Sequence, residues 1–196
     1  MPGERLLVIA GSARAGSFNR RLAAVAAGAA RGAGADVTEL DLGALDLPVY
    51  LADIEAAGMP AGAIELRLQL AQHDALLIAA PEYNGFPTPL LINALDWASR
   101  VPAVDALPAG TAAIKSLVAG LVSASPGALG GLRGLMNLRH FLGVGLGMLV
   151  VPDQFALGSA GTAFDAKGGL NDTRHGESVK RVVDSLLRTS RALKAG

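Results

Sequence analysis

The sequence predicts an α/β fold in which one parallel sheet is covered by helices on both faces. Short, fully apolar runs alternate with longer segments of helical spacing, and this alternation is typical of parallel sheets. The run at 6–10 lacks the polar positions of a half-solvated strand, so we expect it to be buried on both faces. The chain has 196 residues, which favours a single domain over 1–196.

The first half of the chain contains three predicted strands and two predicted helices. The strands are predicted from short apolar runs at 6–10 and 75–79 and from a shorter segment at 35–40. The helices are predicted from apolar residues at helical spacing at 19–31 and 63–73. Pro48, Gly58 and Pro60 interrupt any periodicity in 41–60, so we expect that segment to be irregular.

The second half continues the alternation with two more strands. They are predicted at 117–122 and 147–151, and the remaining helices at 87–100, 131–141 and 176–193. Pro87 and Pro89 are compatible with a helix because they fall near its first turn. These elements are joined by a connector over 102–110, a Ser/Gly loop over 123–130 and a loop through Gly168 and Gly169.

This order of elements restricts the topology of the sheet. Right-handed crossovers leave few arrangements, and the flavodoxin-like strand order 2-1-3-4-5 suits a chain of this size. We therefore expect a three-layer sandwich. The strand order then reverses between the first and third predicted strands, and ligands of open α/β sheets bind at that point.

Composition and charge exclude several classes of function. The formal net charge is zero, which argues against a nucleic-acid partner because such proteins usually carry a basic excess. Cysteine is absent, which excludes disulfides, thiol catalysis and cysteine-ligated metal centres. The three histidines, His73, His140 and His175, are dispersed, so we expect no metal site.

The sequence offers no segment suited to a membrane or to export. The N-terminal residues lead directly into a predicted strand without the apolar stretch of a secretory signal. The longest weakly polar stretch, 141–151, is too short and too rich in glycine to span a bilayer. We expect no membrane insertion and a cytoplasmic location.

The loop after the first predicted strand has the composition of an anion site. It ends a strand and opens a helix, where unpaired N–H groups and the helix dipole favour anions. Ser12, Ser17 and Asn19 add polar side chains, and Arg14 adds the loop's cation. The alternative to an anion site is an ordinary helix start, in which Ser17 or Asn19 caps the helix and Arg14 is a solvated surface charge. The loop matches neither a P-loop nor the dinucleotide-binding glycine motif.

The loop after the third predicted strand, 81–85, suits the edge of a flat heterocycle. Its backbone can present amides to the ring, with Tyr83 and Asn84 flanking it. The alternative is an ordinary loop with a solvated Glu82 and a half-packed Tyr83. Trp97, further along, is expected in the core or at an interface.

Three phrases together resemble the NADPH-dependent FMN reductase family, which includes flavodoxin-like quinone, azo-dye and chromate reductases. They are Gly11-Ser12-x-Arg14-x-x-Ser17-x-Asn19, then Pro81-Glu82-Tyr83-Asn84-Gly85 with Asn93-Ala94-Leu95-Asp96-Trp97, and finally Ser123-Ala124-Ser125-Pro126-Gly127-Ala128-Leu129-Gly130-Gly131. They occur in the family's order, and the resemblance covers nearly the whole chain. The resemblance implies one flavodoxin-like, FMN-binding domain.

The resemblance also implies which residues bind FMN. Its phosphate would be held by Ser12, Arg14, Ser17 and Asn19. Its ring would lie against Pro81, Glu82, Tyr83 and Asn84, with Ser123, Ala124 and Ser125 on the other side. The sequence departs from the family at Ile92, where a lysine is usual, and at Pro87-Thr88-Pro89.

The function implied is an FMN-dependent NAD(P)H oxidoreductase that reduces flavins, quinones or similar small acceptors by ping-pong hydride transfer. The flavin carries the chemistry, so no side chain is expected to be catalytic. NADPH and NADH both remain candidates, because no basic cluster can be assigned to a 2′-phosphate. The resemblance also suggests a homodimer or homotetramer. The alternatives are a flavodoxin-type electron carrier, against which zero net charge weighs, and a flavin-binding protein without turnover.

Overall fold

The computed structural model describes residues 3–103, 108–115 and 117–194. Its strands are β1 (Arg5–Ala10), β2 (Asp36–Leu40), β3 (Ala75–Ala79), β4 (Glu82–Tyr83), β5 (Phe86–Pro87), β6 (Val118–Ala124) and β7 (Leu149–Leu157). Five of them form one sheet in the order β2-β1-β3-β6-β7, and each neighbouring pair is parallel. This is the predicted order 2-1-3-4-5, so the predicted fold is confirmed. Strands β4 and β5 form a separate antiparallel hairpin.

Helices cover both faces of the sheet. They are α1 (Phe18–Gly32), α2 (Ala52–Ala57), α3 (Ala61–Gln72), α4 (Pro89–Arg100), α5 (Leu132–His140) and α6 (Thr173–Lys194). Because successive strand residues point to opposite faces, Leu6 and Val8 of β1 pack in the core with α1 and α6. Leu7 and Ile9 pack in the other core with α3, α4 and α5. Within the described residues, no helix combines the length and apolar character that a membrane crossing requires.

The segment 41–60, expected to be irregular, contains two short helical pieces. A 3-10 turn spans Leu42–Leu45, and α2 spans Ala52–Ala57. Both are too short to show a hydrophobic period in the sequence. In the same segment, the backbone carbonyl of Pro48 accepts a hydrogen bond from the indole N–H of Trp97. The Trp97 side chain is fully buried in the core.

Two strands extend beyond their predicted ends. Strand β6 continues to Ala124, so the predicted loop over 123–130 begins two residues later in the structure. Strand β7 was expected to end before Pro152 but runs to Leu157. It lies at the edge of the sheet, and its register with β6 shifts beside Pro152, where an edge strand tolerates proline. Arg139 donates to the carbonyl oxygens of Val150 and Val151 at this irregularity.

The proline-rich start of the predicted helix 87–100 divides between two elements. Pro87 ends β5, and α4 begins at Pro89, at the helix start where proline is favoured. The predicted connector 102–110 includes 104–107, which lie outside the described residues.

Candidate functional site

The two loops predicted to share a site meet at Gly11. Its N–H donates to the carbonyl of Ala79 at 2.9 Å, and its carbonyl accepts from Thr88 Oγ1 at 2.6 Å. A Cβ at this position would lie 3.2 Å from Pro81 Cδ and 3.2 Å from Thr88 Oγ1. Gly11 therefore allows the ends of β1 and β3 and the start of α4 to approach closely.

The loop from β1 to α1 presents a row of backbone donors. Within the described chain, its N–H groups without a protein acceptor are those of Ser12, Ala13, Ala15, Gly16, Phe18 and Asn19. Ser17 caps α1, because its Oγ accepts from Arg20 N–H at 3.4 Å. Gly16 has a φ of +69°, and no atom lies within 4 Å of where its Cβ would be. The open donors and the helix N-terminus make this loop suitable for an anion.

Arg14 is the cation of this loop. Its side chain is exposed, and no carboxylate pairs with it in the part of the chain that the structure describes. Arg20, one turn into α1, instead pairs with Asp41 at 3.0 Å. Arg14 is thus available to form charged hydrogen bonds with a ligand.

Asn19 joins two walls of the site. Its Nδ2 donates to the carbonyl of Ala124 at 2.8 Å, and its Oδ1 accepts from Ala124 N–H at 2.9 Å. The side chain is buried, so the protein uses both ends of the amide itself. This amide fixes the start of α1 to the end of β6.

The loop after β3 is a tight hairpin rather than an open loop. Tyr83 and Phe86 lie opposite each other, and Asn84 and Gly85 have φ values of 54° and 85°. Two positive φ angles in a two-residue connection indicate a type I′ turn. The Asn-Gly dipeptide is its usual sequence signal, so this hairpin is predictable from the sequence. Asn84 lies at the tip.

Glu82 fastens this hairpin to α5. Its side chain is only 10% exposed; Arg133 Nη2 reaches it at 2.5 Å and Gly134 N–H at 3.0 Å. The alternative of a solvated Glu82 is therefore wrong. Burial would raise the pKa of this carboxyl, but the hydrogen bonds from Gly134 and Arg133 hold it below its usual value. Asn137 adds a third link by donating to the carbonyl of Gly85 at 2.8 Å.

The third wall comes from the end of β6. Ala124 and Ser125 face the cleft, whereas Ser123 is fully buried. Gly131 has a φ of +92°, and a Cβ there would clash with Ser123 Oγ. That hydroxyl has no hydrogen-bond partner among the described residues. Ser123 therefore packs under the start of α5 and supports the wall.

These walls enclose one cleft of about 150 Å³ at the carboxyl ends of β1, β3 and β6. It is lined by Ser12, Arg14, Ser17, Phe18, Asn19, Pro81, Glu82, Tyr83, Ala124, Ser125 and Pro126. All the predicted site residues are among them except Asn84 and Ser123. Phe18 and Pro126 were missed; both fall in or beside the quoted phrases, but an apolar side chain carries no chemical signal of a site.

The departure from the family at Ile92 changes the charge balance along α4. Ile92 and Asp96 are one helical turn apart, where a lysine would be near the carboxylate. Burial raises the pKa of Asp96, and Arg100 on the next turn opposes that rise. Neither Ile92 nor Asp96 lines the cleft.

Comparisons with known proteins agree with this arrangement. Residues 5–162 match the family model described as NADPH-dependent FMN reductase. An NAD(P)H-dependent FMN reductase of Pseudomonas aeruginosa is 32% identical over 193 residues, which cover 97% of each chain. A quinone reductase of Pseudomonas putida is 35% identical over 168 residues, covering 84% of this chain and 83% of that protein.

A solved structure shows the same fold. A flavoenzyme NAD(P)H:(acceptor) oxidoreductase from Paracoccus denitrificans superimposes with a TM-score of 0.76 at 24% identity, covering 96% of this chain and 98% of that one. The extent of the family match and the identity to the curated relatives lead to one conclusion. The chain belongs to the NADPH-dependent FMN reductase family.

Proposed function

We propose that this chain oxidises NAD(P)H through bound FMN and passes the electrons to flavins, quinones or similar small acceptors. Membership of the family makes the protein an oxidoreductase that uses FMN and NAD(P)H. One observation carries the assignment to this cleft. The anion loop with Arg14 and the stem of the hairpin at Tyr83 open into the same small space.

The residues of the cleft fit FMN in chemistry. The phosphate would be held by the free N–H groups of Ser12, Ala13, Ala15 and Gly16, the hydroxyls of Ser12 and Ser17 and the Arg14 guanidinium. The segment from Pro81 to Tyr83 and the wall at Ala124 and Ser125 would hold the ring. Asn84 and Ser123 would act indirectly, the first by forming the hairpin turn and the second by supporting the wall.

The protein's part in the reaction is to bind and orient. Bound FMN would supply the redox chemistry, namely hydride acceptance from NAD(P)H and transfer of two electrons to the acceptor. The carboxylate of Glu82 is already used by Arg133 and Gly134, and its lowered pKa keeps it ionised near neutral pH. It is therefore no proton donor, and no side chain of the cleft is required as a general acid or base.

We further propose that NAD(P)H and the acceptor use the cleft in turn. The sequence offers no second nucleotide-binding fingerprint and no separate acceptor domain, so one cleft would serve both substrates. Oxidised nicotinamide would leave before the acceptor enters, which gives ping-pong kinetics. Initial rates measured against NADPH at several quinone concentrations should give parallel double-reciprocal lines. Intersecting lines would mean that both substrates bind together, and the shared-cleft order would be abandoned.

The proposed cofactor is FMN rather than FAD, because the cleft holds a single anion loop. Apoprotein titrated with each flavin should bind FMN more tightly. Equal or tighter binding of FAD would overturn this choice. Steady-state oxidation of NADPH with a quinone tests the activity itself, since a flavodoxin-type carrier or a flavin-binding regulator would not turn over.

We also propose a homodimer or homotetramer. Leu129, Leu132 and Met136 are exposed apolar side chains at helical spacing along and just before α5, which is a surface suited to a second copy. Sedimentation should give a mass of two or four chains, and a monomer at micromolar concentration would refute this.

We also propose a cytoplasmic location, because the reductant NAD(P)H is kept inside cells. Fractionation of the source cells tests it.

A further inference from the structure

We propose that Phe86 and Tyr83 form an aromatic platform beside the cleft that favours flat, fused-ring acceptors over single-ring or non-aromatic ones. The proposal rests on the proposed function, since it assigns an acceptor preference to the same cleft. Phe86 is not among the residues proposed to bind FMN, and it does not line the cleft itself. It would be a specificity-determining residue.

The hairpin places the two aromatic residues opposite each other across its two strands. Tyr83 and Phe86 are direct partners across β4 and β5, so their side chains project from the same face of the hairpin. Tyr83 lines the cleft, and Phe86 therefore extends that apolar surface outward from it. Opposite positions in a hairpin hold their Cβ atoms roughly 5 Å apart, which matches the width of two fused rings.

Tyr83 and Phe86 have the most exposed side chains among the aromatic residues of the chain. Tyr83 is 61% exposed and Phe86 is 62% exposed. The other aromatic side chains, all of them in the described residues, are buried or partly buried. Trp97 and Tyr50, for example, pack edge to face in the core. Exposed apolar surface that is concentrated beside a cleft is a mark of ligand binding.

The platform is rigid before any acceptor arrives. Glu82 accepts from Arg133 and from Gly134 N–H, and Asn137 donates to the carbonyl of Gly85. These contacts clamp the hairpin to α5 just before Tyr83 and at the turn between Tyr83 and Phe86. A surface that is already ordered loses little entropy when a flat ring lies on it.

The test measures acceptor selectivity in the FMN-loaded enzyme with NADPH as reductant. The acceptors are 2-methyl-1,4-naphthoquinone, which has two fused rings, 1,4-benzoquinone and ferricyanide. In Phe86→Ala, the ratio of kcat/KM for the naphthoquinone to that for ferricyanide should fall about 3- to 10-fold, the range for loss of one aromatic contact. The ratio for benzoquinone should change less, because one ring can rest on Tyr83 alone.

Two further variants make the result specific. Phe86→Leu keeps an apolar side chain without a flat face, so it should recover only part of the naphthoquinone preference. Val144→Ala removes an apolar side chain that is 76% exposed and outside the cleft, so it should keep the wild-type ratios. The melting temperature and flavin content of each variant are measured alongside.

Several outcomes would overturn the platform. An unchanged ratio in Phe86→Ala, an equal loss for all three acceptors, or a change in sedimenting mass that accounts for the loss would each do so. If wild-type protein turns over none of the acceptors, the proposed function fails instead. The platform is then judged by calorimetric binding of the naphthoquinone, which Phe86→Ala should weaken by the same factor.

Discussion

Asn19 and Ala124, 105 residues apart in the sequence, are held together by a reciprocal pair of buried hydrogen bonds, with distances of 2.8 Å and 2.9 Å. The side-chain amide of Asn19 thus replaces a strand neighbour at the end of β6. The helix that presents the anion loop cannot move away from the opposite wall of the cleft without breaking both bonds.

Asn19→Ala should therefore weaken both the fold and the site. The N–H and carbonyl of Ala124 would be left without partners, and we expect a loss of about 2–4 kcal/mol in unfolding free energy by urea denaturation. Affinity should fall for riboflavin as well as for FMN. Asn171→Ala is the matched control, because among the described residues its amide donates only one exposed hydrogen bond, to the carbonyl of Thr162 outside the cleft, and its loss should cost about 0.5–1.5 kcal/mol. Loss of FMN affinity alone, with stability intact, would show that Asn19 binds the phosphate instead.

Arg14→Ala should produce the opposite pattern. Its exposed side chain contributes little to the fold, so stability should be unchanged, while FMN affinity should drop by about 1.5–3 kcal/mol. Riboflavin, which lacks the phosphate, should bind as before. Fluorescence titration of apoprotein with both flavins measures this, with Arg31→Ala as a control because Arg31 pairs with Glu39 on the surface. A matching loss for riboflavin would remove Arg14 from the phosphate site.

Gly134→Ala should displace the hairpin from α5. The new Cβ would lie 2.6 Å from Glu82 Cβ, which forces one of the two backbones to shift. We expect a loss of about 1–3 kcal/mol in stability and weaker flavin binding. In contrast, Gly28→Ala in α1 meets no atom within 4 Å and should stabilise by about 0.5–1 kcal/mol. Wild-type stability and affinity in Gly134→Ala would show that the hairpin is not held by this close contact.

Asp74 should make stability depend on pH at the opposite end of the sheet. Its side chain is 7% exposed and pairs with Arg5 at 2.8 Å and with Lys194 at 2.6 Å. Burial would raise its pKa, but the hydrogen bonds from Arg5 and Lys194 hold it well below the usual value. The folded state thus favours the carboxylate, and this stabilisation is present above about pH 4, the unfolded pKa. It is lost as the pH falls further.

Asp74→Asn should accordingly cost about 1–3 kcal/mol at pH 7, and the difference from wild type should shrink as the pH falls below 4. Urea denaturation across that range measures it. Asp184→Asn is the control, because within the described chain Asp184 forms only an exposed pair with Lys180 one turn away on α6. A difference that stays constant with pH would show that Asp74 acts by packing and not by charge.

The sheet could be predicted because its signals are local. The apolar runs of β1, β3 and β6 are buried on both faces, whereas the edge strands β2 and β7 are only partly buried. Strand β3 was predicted at its observed bounds, Ala75–Ala79. The extension of β7 past Pro152 could not be predicted, because whether a strand lies at the edge of a sheet depends on its neighbours. The hairpin turn at Asn84 and Gly85 had a local signal and was overlooked.

The candidate site was predicted as a set of residues but not as a set of contacts. The family phrases indicated which loops would converge, and most of their polar residues do line the cleft. The contacts that hold the site are of another kind. Glu82 reaches Gly134 across 52 positions, and Asn19 reaches Ala124 across 105. No spacing pattern in a single sequence encodes such pairings.

The hairpin of β4 and β5 depends on α5, while the anion loop leads into α1, and the two helices lie on opposite faces of the sheet. Substitutions in the hairpin can therefore accumulate without loosening the hold on a phosphate. Over evolutionary time, a family built in this way can diversify what it reduces while it keeps the same prosthetic group. Phe86 marks the place where this chain has scope to diverge from its relatives.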